Sequence, residues 1–331
     1  MPILKVRDLE VSFGETKILR GVSFNLERGK TLGVVGESGC GKSMTGYTIM
    51  GMLPEGARVS NGSIQFEGKE MTTMSQQDWL DLRGQDIALV MQDPFTCLNP
   101  MMKIGDQIAE VLILHRGMDK KEAWTHAVEM LEKVGVPAPE SSARKYPHQM
   151  SGGQRQRVVI AVAFACRPKI LIADEPTTAL DVTLQAQILR LIRELQEEED
   201  TAVMLVSHDI GVIASVASRI AVYYAGRIVE DGLAEEVLKN PAHPYTQALL
   251  KALPSEKSNR LAAIKGHPPD LAHLPQGCSF QARCPHAMDI CVNDPKLFDV
   301  KKQHGSACWL APTAPDLEGF KKEPIKQKKK K

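Results

Sequence analysis

A glycine-rich loop near the start of the chain constrains its fold more than any other feature. Residues Gly36 to Ser43 fit the pattern G-x-x-x-x-G-K-[ST] and follow an apolar run, Thr31 to Val35, that predicts a buried strand. In such a loop the backbone approaches phosphate oxygens closely, and the N–H groups supply positive potential. Lys42 is placed to reach the β- and γ-phosphates, and Ser43 to hold Mg²⁺. A glycine turn without a ligand is the alternative, but the complete pattern favours a nucleoside triphosphate site.

A second apolar run supplies the acidic residues that phosphate transfer needs. Residues 170 to 173 are apolar and are followed by Asp174 and Glu175. Asp174 suits the Mg²⁺ shell, and Glu175 is placed to polarise a water molecule. Taken alone, the pair is also typical of a strand with a solvated end. Its combination with Lys42 favours hydrolysis of the bound triphosphate.

A third motif, Met150 to Arg157, makes the prediction specific. Ser151 and the two glycines after it stand at a helix start, before a helical stretch predicted at 158 to 166. Small side chains and the helix dipole favour an anion there. The motif resembles the signature of ATP-binding-cassette (ABC) proteins, with Met150 where that family usually has Leu. The resemblance implies that the γ-phosphate held by the opposite subunit is bound by Ser151, Gly152, Gly153 and Gln154.

The remaining motifs of that family occur in the same order as in the family. Gln92 resembles the Q-loop glutamine, which touches Mg²⁺ and senses the membrane partner, and Asp181 resembles the D-loop aspartate that crosses the dimer interface. His208 resembles the switch histidine at the γ-phosphate, with a surface histidine at a strand end as the alternative. Phe13 resembles the aromatic that stacks on adenine, with a buried strand phenylalanine as the alternative. The resemblance implies an ATP site of Phe13, Gly36, Glu37, Ser38, Gly39, Cys40, Gly41, Lys42, Ser43 and Gln92, a Mg²⁺ site of Ser43, Gln92 and Asp174, and catalysis by Glu175, His208 and Gln92.

Length and hydropathy limit what else the chain contains. Its 331 residues hold one phosphate loop and one signature motif, which indicates a single cassette. Because a cassette supplies half of each composite site, a second ABC ATPase subunit is required, and in the family it is usually a different chain. The sequence has no run of about 18 uninterrupted apolar residues and no secretory signal pattern. We therefore expect the chain in the cytosol, and the resemblance implies a peripheral position on the cytoplasmic face of the inner membrane.

The order of predicted elements indicates an α/β fold. Strand patterns alternate with helices as in a parallel sheet covered by helices. The resemblance implies the fold class of a P-loop NTPase of the ABC ATPase type, with an antiparallel β subdomain, an inserted helical subdomain and a small C-terminal cysteine-rich module. Predicted strands span 3–27, 63–66, 87–91, 169–173 and 202–207, and predicted helices 42–53, 104–167 (in several pieces) and 183–199. Predicted domains are the cassette 1–240 (helical subdomain about 100–167), the C-terminal module 241–310 and a disordered lysine-rich tail 311–331.

The segment after residue 240 narrows the expected cargo. Residues Asn240 to Leu250 resemble the segment that follows the cassette in ATPases of dipeptide and oligopeptide permeases, with nickel permeases as close relatives. By itself this segment predicts only a helix with an apolar face that begins at prolines. Residues Gln92 to Pro100 are also typical of that subgroup. The resemblance implies the energy-coupling subunit of a peptide importer, with two transmembrane permeases and, indirectly, a peptide-binding protein as partners. The same role in a nickel or other small-solute importer is the alternative.

Four of the seven cysteines lie close together in the C-terminal region: Cys278, Cys284, Cys291 and Cys308. Disulfides are disfavoured in the cytosol. The spacings differ from those of common structural zinc sites and of ferredoxins. Chemistry alone favours a four-thiolate metal site, with iron–sulfur ahead of zinc and unligated thiols. Resemblance to the peptide-permease ATPases implies a [4Fe-4S] cluster, most simply in a structural role.

Two other classes of function are less well supported. A soluble ABC ATPase of DNA repair or of the ribosome is disfavoured, because the chain has neither a long inserted coiled coil nor a second cassette. An iron–sulfur redox protein regulated by nucleotide leaves the signature motif unexplained. The formal net charge is +1, and the lysine-rich end after Phe320 predicts a solvated terminus, with a polybasic contact to anionic lipid as the alternative. No nucleic-acid partner is expected.

Overall fold

Two β-sheets with flanking helices make up the part of the chain that the computed structural model describes, residues 2–178, 180–253 and 264–315. The strands are β1 (Pro2–Phe13), β2 (Thr16–Glu27), β3 (Thr31–Val35), β4 (Ala57–Phe66), β5 (Lys69–Glu70), β6 (Ile87–Val90), β7 (Ile170–Asp174), β8 (Ala202–Ser207), β9 (Arg219–Tyr224), β10 (Arg227–Leu233), β11 (Phe298–Lys301) and β12 (His304–Ser306). The α-helices are α1 (Lys42–Ile49), α2 (Gln76–Leu82), α3 (Pro94–Cys97), α4 (Ile104–Arg116), α5 (Lys120–Lys133), α6 (Pro139–Ala143), α7 (Gly152–Phe164), α8 (Val182–Glu199), α9 (Ile210–Val216), α10 (Ala234–Lys239) and α11 (Pro244–Lys251). Short 3₁₀ helices span Pro147–Gln149, Gln281–Arg283 and Asp289–Val292.

The larger sheet has the strand order β11-β12-β10-β9-β3-β8-β7-β6. From β9 to β6 the neighbouring strands are parallel, and every residue of β3, β7 and β8 is buried. Continuous apolar runs of this kind suit strands covered on both faces. Because β3, β6, β7 and β8 are parallel, their carboxyl ends lie at one edge, where the predicted motif residues follow.

The smaller sheet is antiparallel, with the order β2-β1-β4-β5, and confirms the predicted β subdomain. Its third strand is longer than predicted. It begins at Ala57 rather than at residue 63, because residues 57 to 61 pair with β1, as in the partners Phe13 and Ala57. The predicted helix at 42–53 is shorter, since it ends at Ile49 and Gly51 takes a left-handed conformation with φ 60°.

The predicted helical subdomain is confirmed by α4, α5, α6 and α7. Helix α4 buries Ile104, Ile108 and Leu112, spaced four residues apart, within the same core as a matching stripe of α5. The stripe of α5 is Ala123, Ala127 and Leu131. The helix of the third motif starts at Gly152, as expected for Ser151 and the two glycines at a helix start, and includes most of the stretch predicted at 158–166.

Residues 298–306 extend the larger sheet, which the sequence did not predict. Strand β12 pairs with β10, with Glu230 opposite Ser306 and Gly232 opposite His304, and β11 pairs with β12. The buried Glu230 carboxylate accepts hydrogen bonds from the backbone N–H groups of Ala242 and His243, and His304 Nε2 lies 2.8 Å from it. Of the predicted disordered tail 311–331, residues 311–315 are described and Ala311 and Ala314 are buried, so the prediction is wrong for this part. The rest of the tail, from 316 onward, lies outside the described residues. None of the helices in the described ranges is both long and apolar enough to cross a membrane.

Candidate functional site

The phosphate loop connects β3 to α1, and glycines shape it. A Cβ on Gly36 would lie 2.3 Å from the carbonyl oxygen of Tyr223, so the loop leaves the sheet where only glycine fits. Gly39 and Gly41 have φ of 79° and 101°, a left-handed conformation that favours glycine. Beside Gly39 the space is open, with nothing within 4 Å of an added Cβ. The loop therefore has the close turns and the free surface that a phosphate cradle needs.

Lys42 folds back onto this loop. Its Nζ donates hydrogen bonds to the carbonyl oxygens of Gly36, at 2.8 Å, and of Glu37, at 3.0 Å, and the side chain is buried. A buried ammonium needs partners, and here neutral carbonyls are the partners. Phosphate oxygens are stronger acceptors for a charged donor. A triphosphate on the loop would therefore draw this ammonium towards itself.

Ser43 and Asp174 meet beside the loop. The Ser43 hydroxyl, in the first turn of α1, donates to Asp174 Oδ1 at the end of β7, at 3.0 Å. Burial raises the pKa of the Asp174 carboxyl, and the neighbouring Glu175 raises it further, while the Ser43 hydrogen bond and Lys42 oppose the shift. A divalent cation would favour the charged carboxylate again. A hydroxyl and a carboxylate are oxygen ligands that Mg²⁺ accepts, so these two residues fit the predicted ion.

Glu175 is the centre of a hydrogen-bond cluster at the same edge. Its Oε2 accepts bonds from Gln92 Nε2 at 3.2 Å and from Thr178 Oγ1 at 2.8 Å, and His208 Nδ1 lies 3.1 Å away. Glu175 itself has a left-handed backbone with φ 49°, which is uncommon for a residue other than glycine. The ends of β6, β7 and β8 thus bring together the three residues that the sequence assigned to catalysis. Thr178 was missed, because a threonine in a turn carries no sequence signal of its own.

The third motif forms a capped helix start. The Ser151 hydroxyl accepts from the N–H of Gln154 at 3.3 Å, and Gln154 Oε1 accepts from the N–H of Ser151 at 3.1 Å. This capping box starts α7 and leaves open space at Gly152. Leu184 packs 3.2 Å from the Cβ position of Gly153, and the N–H of Leu184 bonds the Asp181 carboxylate that caps α8. The signature and D-loop positions are therefore neighbours, while Ala179 lies outside the described residues.

A pocket of about 450 Å³ opens beside the phosphate loop. Phe13 lines it and is 50% exposed, so its interpretation as a buried strand phenylalanine is wrong. The loop contributes the lining residues Glu37 to Cys40. A flat apolar ring next to a phosphate cradle suits a nucleobase. Residues Pro268 to Ala272 line the same pocket, which the sequence did not predict.

The four C-terminal cysteines line one small pocket of the module. All are free thiols. Burial and the neighbouring thiols raise the pKa of Cys278 and of Cys308 to about 12, and burial raises those of Cys284 and Cys291. Among the described residues no three His, Cys, Asp or Glu side chains form a group that could hold a metal ion. The described arrangement of these residues therefore does not support the predicted [4Fe-4S] cluster.

Two family profiles match the chain. The profile described as ABC transporter matches residues 19–178, and the profile described as oligopeptide/dipeptide transporter, C-terminal region, matches residues 229–291. Among curated proteins, the oligopeptide transport ATP-binding protein OppD of Bacillus subtilis is 48% identical over 96% of this chain and 91% of its own length. The dipeptide transport ATP-binding protein DppD of the same organism is 48% identical over 93% and 94%.

Solved structures have the same fold over about 70% of this chain. A dimeric post-hydrolysis state of the ATP-binding cassette MJ0796, bound to ADP and phosphate, has a TM-score of 0.62 and 29% identity, covering 70% of this chain and 98% of that one. The protein cbiO1 from Clostridium perfringens, part of the complex cbiONQ, has a TM-score of 0.64 and 28% identity, covering 72% and 91%.

Proposed function

This chain belongs to the ABC transporter family, among the oligopeptide and dipeptide transport ATP-binding proteins, and from that premise we propose that it is the ATP-hydrolysing, energy-coupling subunit of a peptide importer. The observation that carries the proposal is the meeting of Lys42, Ser43 and Asp174 with the Glu175 cluster at one edge of the parallel sheet. The names of the relatives favour a peptide cargo over the nickel alternative. A soluble ATPase outside transport has no comparable support.

ATP would be held at the loop by its phosphates. The N–H groups of the loop and of α1 point to the anion, and Lys42 exchanges the carbonyls of Gly36 and Glu37 for phosphate oxygens. Ser43 and Asp174 would hold Mg²⁺, with Gln92 as a further ligand. When bound, this ion neutralises charge that develops on the phosphates. Phe13 would stack on the base.

Glu175 would orient and deprotonate the attacking water. Thr178 fixes the carboxylate by its 2.8 Å bond, and Gln92 and His208 approach the same oxygen. Glu175, the proposed base, is thereby held beside the proposed Mg²⁺ ligand Asp174, which directly precedes it in the sequence. When nucleotide is bound, the Gln92 side chain would contact the Mg²⁺ ion and the His208 side chain would contact the γ-phosphate. Orientation of this kind is the main contribution that a protein makes to phosphoryl transfer.

The capped start of α7 would act on a nucleotide bound by another cassette. Ser151 is exposed, and Gly152 leaves space beside it, so phosphate oxygens can approach the helix N-terminus. A complete site therefore takes the loop of one cassette and Ser151 to Gln154 of a second one. Asp181, next to the signature through Leu184, would lie at the same interface. ATP binding would close the pair of cassettes, and hydrolysis would reopen it.

This composite site is tested with the isolated chain. The chain alone should bind MgATP but hydrolyse it slowly, with turnover that rises when the partner cassette and permeases are added. ATP binding is measured by calorimetry and turnover by phosphate release, with the chain held at concentrations where it is monomeric. Full and linear turnover by a strictly monomeric sample would contradict the proposal.

Exposed apolar side chains mark the surface proposed for the permeases. Phe95 is 61% exposed and Met101 is 83% exposed, and both follow Gln92 in the sequence. Arg155 stacks on the Phe95 ring with 4.2 Å between its guanidinium carbon and the ring centroid, which ties this surface to the signature helix α7. Docking of two permeases here would place the subunit peripherally on the cytoplasmic face of the inner membrane. It would also let their movement reach both Gln92 and α7.

We further propose that Cys278, Cys284, Cys291 and Cys308 hold a [4Fe-4S] cluster rather than zinc. The chemistry of the donors supports this, since four desolvated thiols line one pocket and a bound metal would stabilise their thiolates. Their described positions do not form a group that could hold a metal ion. The enclosed volume is only about 10 Å³, enough for about one water molecule, so we expect the walls to separate on loading. When bound, the cluster would add folding stability to a module with little regular structure. The domain division 1–240, 241–310 and 311–331 is likewise a proposal.

Metal analysis of anaerobically purified protein tests the cluster. Iron and acid-labile sulfide should be found in equal amounts, the protein should be brown, and Cys284→Ser should bleach it. Zinc without iron would reverse the choice of metal. Absence of both metals from a folded, active sample would refute the site.

A further inference from the structure

The pocket beside the phosphate loop is built from two distant parts of the chain. Phe13, Thr16 and Ile18 come from the N-terminal sheet, and Glu37 to Cys40 come from the phosphate loop. Pro268 to Ala272 come from the C-terminal module, about 230 residues later in the sequence. Two prolines restrict this segment, and the Asp270 carboxylate closes its turn by accepting from the N–H of Ala272 at 3.0 Å. The segment is therefore a formed wall rather than an open loop.

Arg283 fastens this wall to the phosphate loop. Its Nη1 and Nη2 donate to the two carboxylate oxygens of Glu37 at 2.5 and 2.8 Å. Its Nε donates to the carbonyl of Lys265 at 3.0 Å, just before the wall segment. Nη1 also reaches the Tyr224 hydroxyl at 3.3 Å, and the side chain is 5% exposed. A buried bidentate pair of this kind fixes geometry as well as charge.

The Tyr245 hydroxyl adds a second link from beyond residue 240. It accepts from the backbone N–H of Glu37 at 2.9 Å. Both the carboxylate and the N–H of Glu37 are therefore held by side chains that follow the cassette in sequence. Since Glu37 lies between Gly36 and Ser38 of the phosphate loop, the C-terminal module constrains the loop conformation directly.

We propose that the C-terminal module is part of the nucleotide site of its own chain: residues 268–272 contact the adenosine end of ATP, and Arg283 is a positioning residue that holds this wall against the phosphate loop. The proposal rests on ATP binding as proposed above. The pocket shares Glu37 to Cys40 with the phosphate cradle, so the nucleoside of a nucleotide bound there extends into it. Its lining is mostly apolar, which suits the faces of a base, and the half-exposed Phe13 ring lies within it.

A bulky side chain in the wall tests the contact with the nucleoside. Ala272 is exposed and lines the pocket, so Ala272→Trp should fill the pocket without disturbing the core. Binding of MgATP and of magnesium tripolyphosphate, which has no nucleoside, is measured by calorimetry on the full chain. We expect the Kd for ATP to rise about tenfold or more and the Kd for tripolyphosphate to stay at the wild-type value.

Lys302→Trp is the matched control, because Lys302 is an exposed turn residue of the same module outside this pocket. It should leave both affinities unchanged. Unchanged ATP binding by Ala272→Trp would overturn the proposal, as would an equal loss of ATP and tripolyphosphate binding. A wild-type chain that binds neither ligand would instead refute the proposed function on which this inference rests.

A double-mutant cycle tests the positioning role of Arg283. Arg283→Ala should weaken ATP binding about tenfold, and adding Glu37→Ala should cost little more, because the two side chains act as one unit. Arg283→Lys should restore only part of the affinity, since an ammonium cannot bond both oxygens in parallel. Arg219→Ala, which breaks the Arg219–Asp231 pair at the other end of β9 and β10, controls for loss of an ion pair and should leave the ATP Kd unchanged. Independent, additive effects of Arg283→Ala and Glu37→Ala would refute the coupling.

Discussion

Glu175→Gln separates the chemical step from nucleotide binding. The substitution keeps the size of the side chain and removes its charge, so the amide cannot accept the proton of the attacking water. General-base contributions are about 10² to 10⁴ in rate, which is about 3 to 5 kcal/mol of barrier. We therefore expect turnover in the assembled transporter to fall by about that factor.

ATP affinity should be kept in Glu175→Gln. The proposed binding groups Lys42, Ser43 and Asp174 are untouched. The substitution removes the negative charge of Glu175, which raises the pKa of Asp174. All proposed ligands of ATP and Mg²⁺ are therefore retained in this variant. Because closure precedes hydrolysis, this variant should accumulate the closed, ATP-bound pair of cassettes. Lys42→Ala should do the opposite and weaken ATP binding itself, because it removes the ammonium from the phosphate cradle.

Phosphate release, ATP binding by calorimetry and cassette association by size-exclusion chromatography together check this reasoning. Glu194→Gln on the exposed face of α8 is the control, and it should behave as the wild type. Near-normal turnover in Glu175→Gln would refute the assignment and make His208, 3.1 Å from the same oxygen, the next candidate for the base.

Three further outcomes are expected. Phe13→Ala should weaken ATP binding by about 1–3 kcal/mol, the usual worth of an aromatic stacked on a base, and leave tripolyphosphate binding unchanged in calorimetry. Thr178→Ala should lower turnover but not ATP affinity, because it frees the Glu175 carboxylate that it holds at 2.8 Å; equal effects on both would place Thr178 in binding instead. Burial lowers the pKa of His243 to about 3. As the pH falls, the imidazole is therefore protonated in the unfolded chain before it is protonated in the folded one, so the free energy of unfolding should fall as the pH drops from about 6.5 towards 3. Thermal melts across that range should fall less steeply in His243→Asn, which keeps the helix cap of α11 but does not titrate, and equal slopes would contradict this account.

The residues at the ends of the parallel strands could be predicted from the sequence, because short local patterns indicate them. Lys42, Asp174, Gln92 and His208 each follow an apolar run, and parallel strands place such ends at one edge. It was therefore predictable that Glu175, Gln92 and His208 lie close together. The hydrogen bonds between them were not predictable. The strand β4 was predicted too short because its first half is polar and owes its conformation to pairing with β1.

The contacts between the C-terminal module and the cassette were beyond sequence reasoning. Arg283 and Glu37 are 246 residues apart, and neither belongs to a periodic pattern that would pair them. The short strand β12 owes its conformation to the exposed edge of β10 rather than to its own residues His304 to Ser306. Such pairings depend on the folded arrangement of distant segments, for which a single sequence gives no signal.

The two strands that the C-terminal module adds to the larger sheet have a practical consequence for anyone who trims the chain. A shortened protein that ends near residue 251 would expose the backbone of β10 as a free sheet edge, which invites pairing with other molecules. It would also remove His304 from beside the Glu230 carboxylate, which would keep only its hydrogen bonds from the N–H groups of Ala242 and His243. Aggregation of such a fragment would therefore reflect the uncovered edge of β10 and the loss of His304 from beside Glu230. It would not show that the nucleotide-binding half is inherently insoluble.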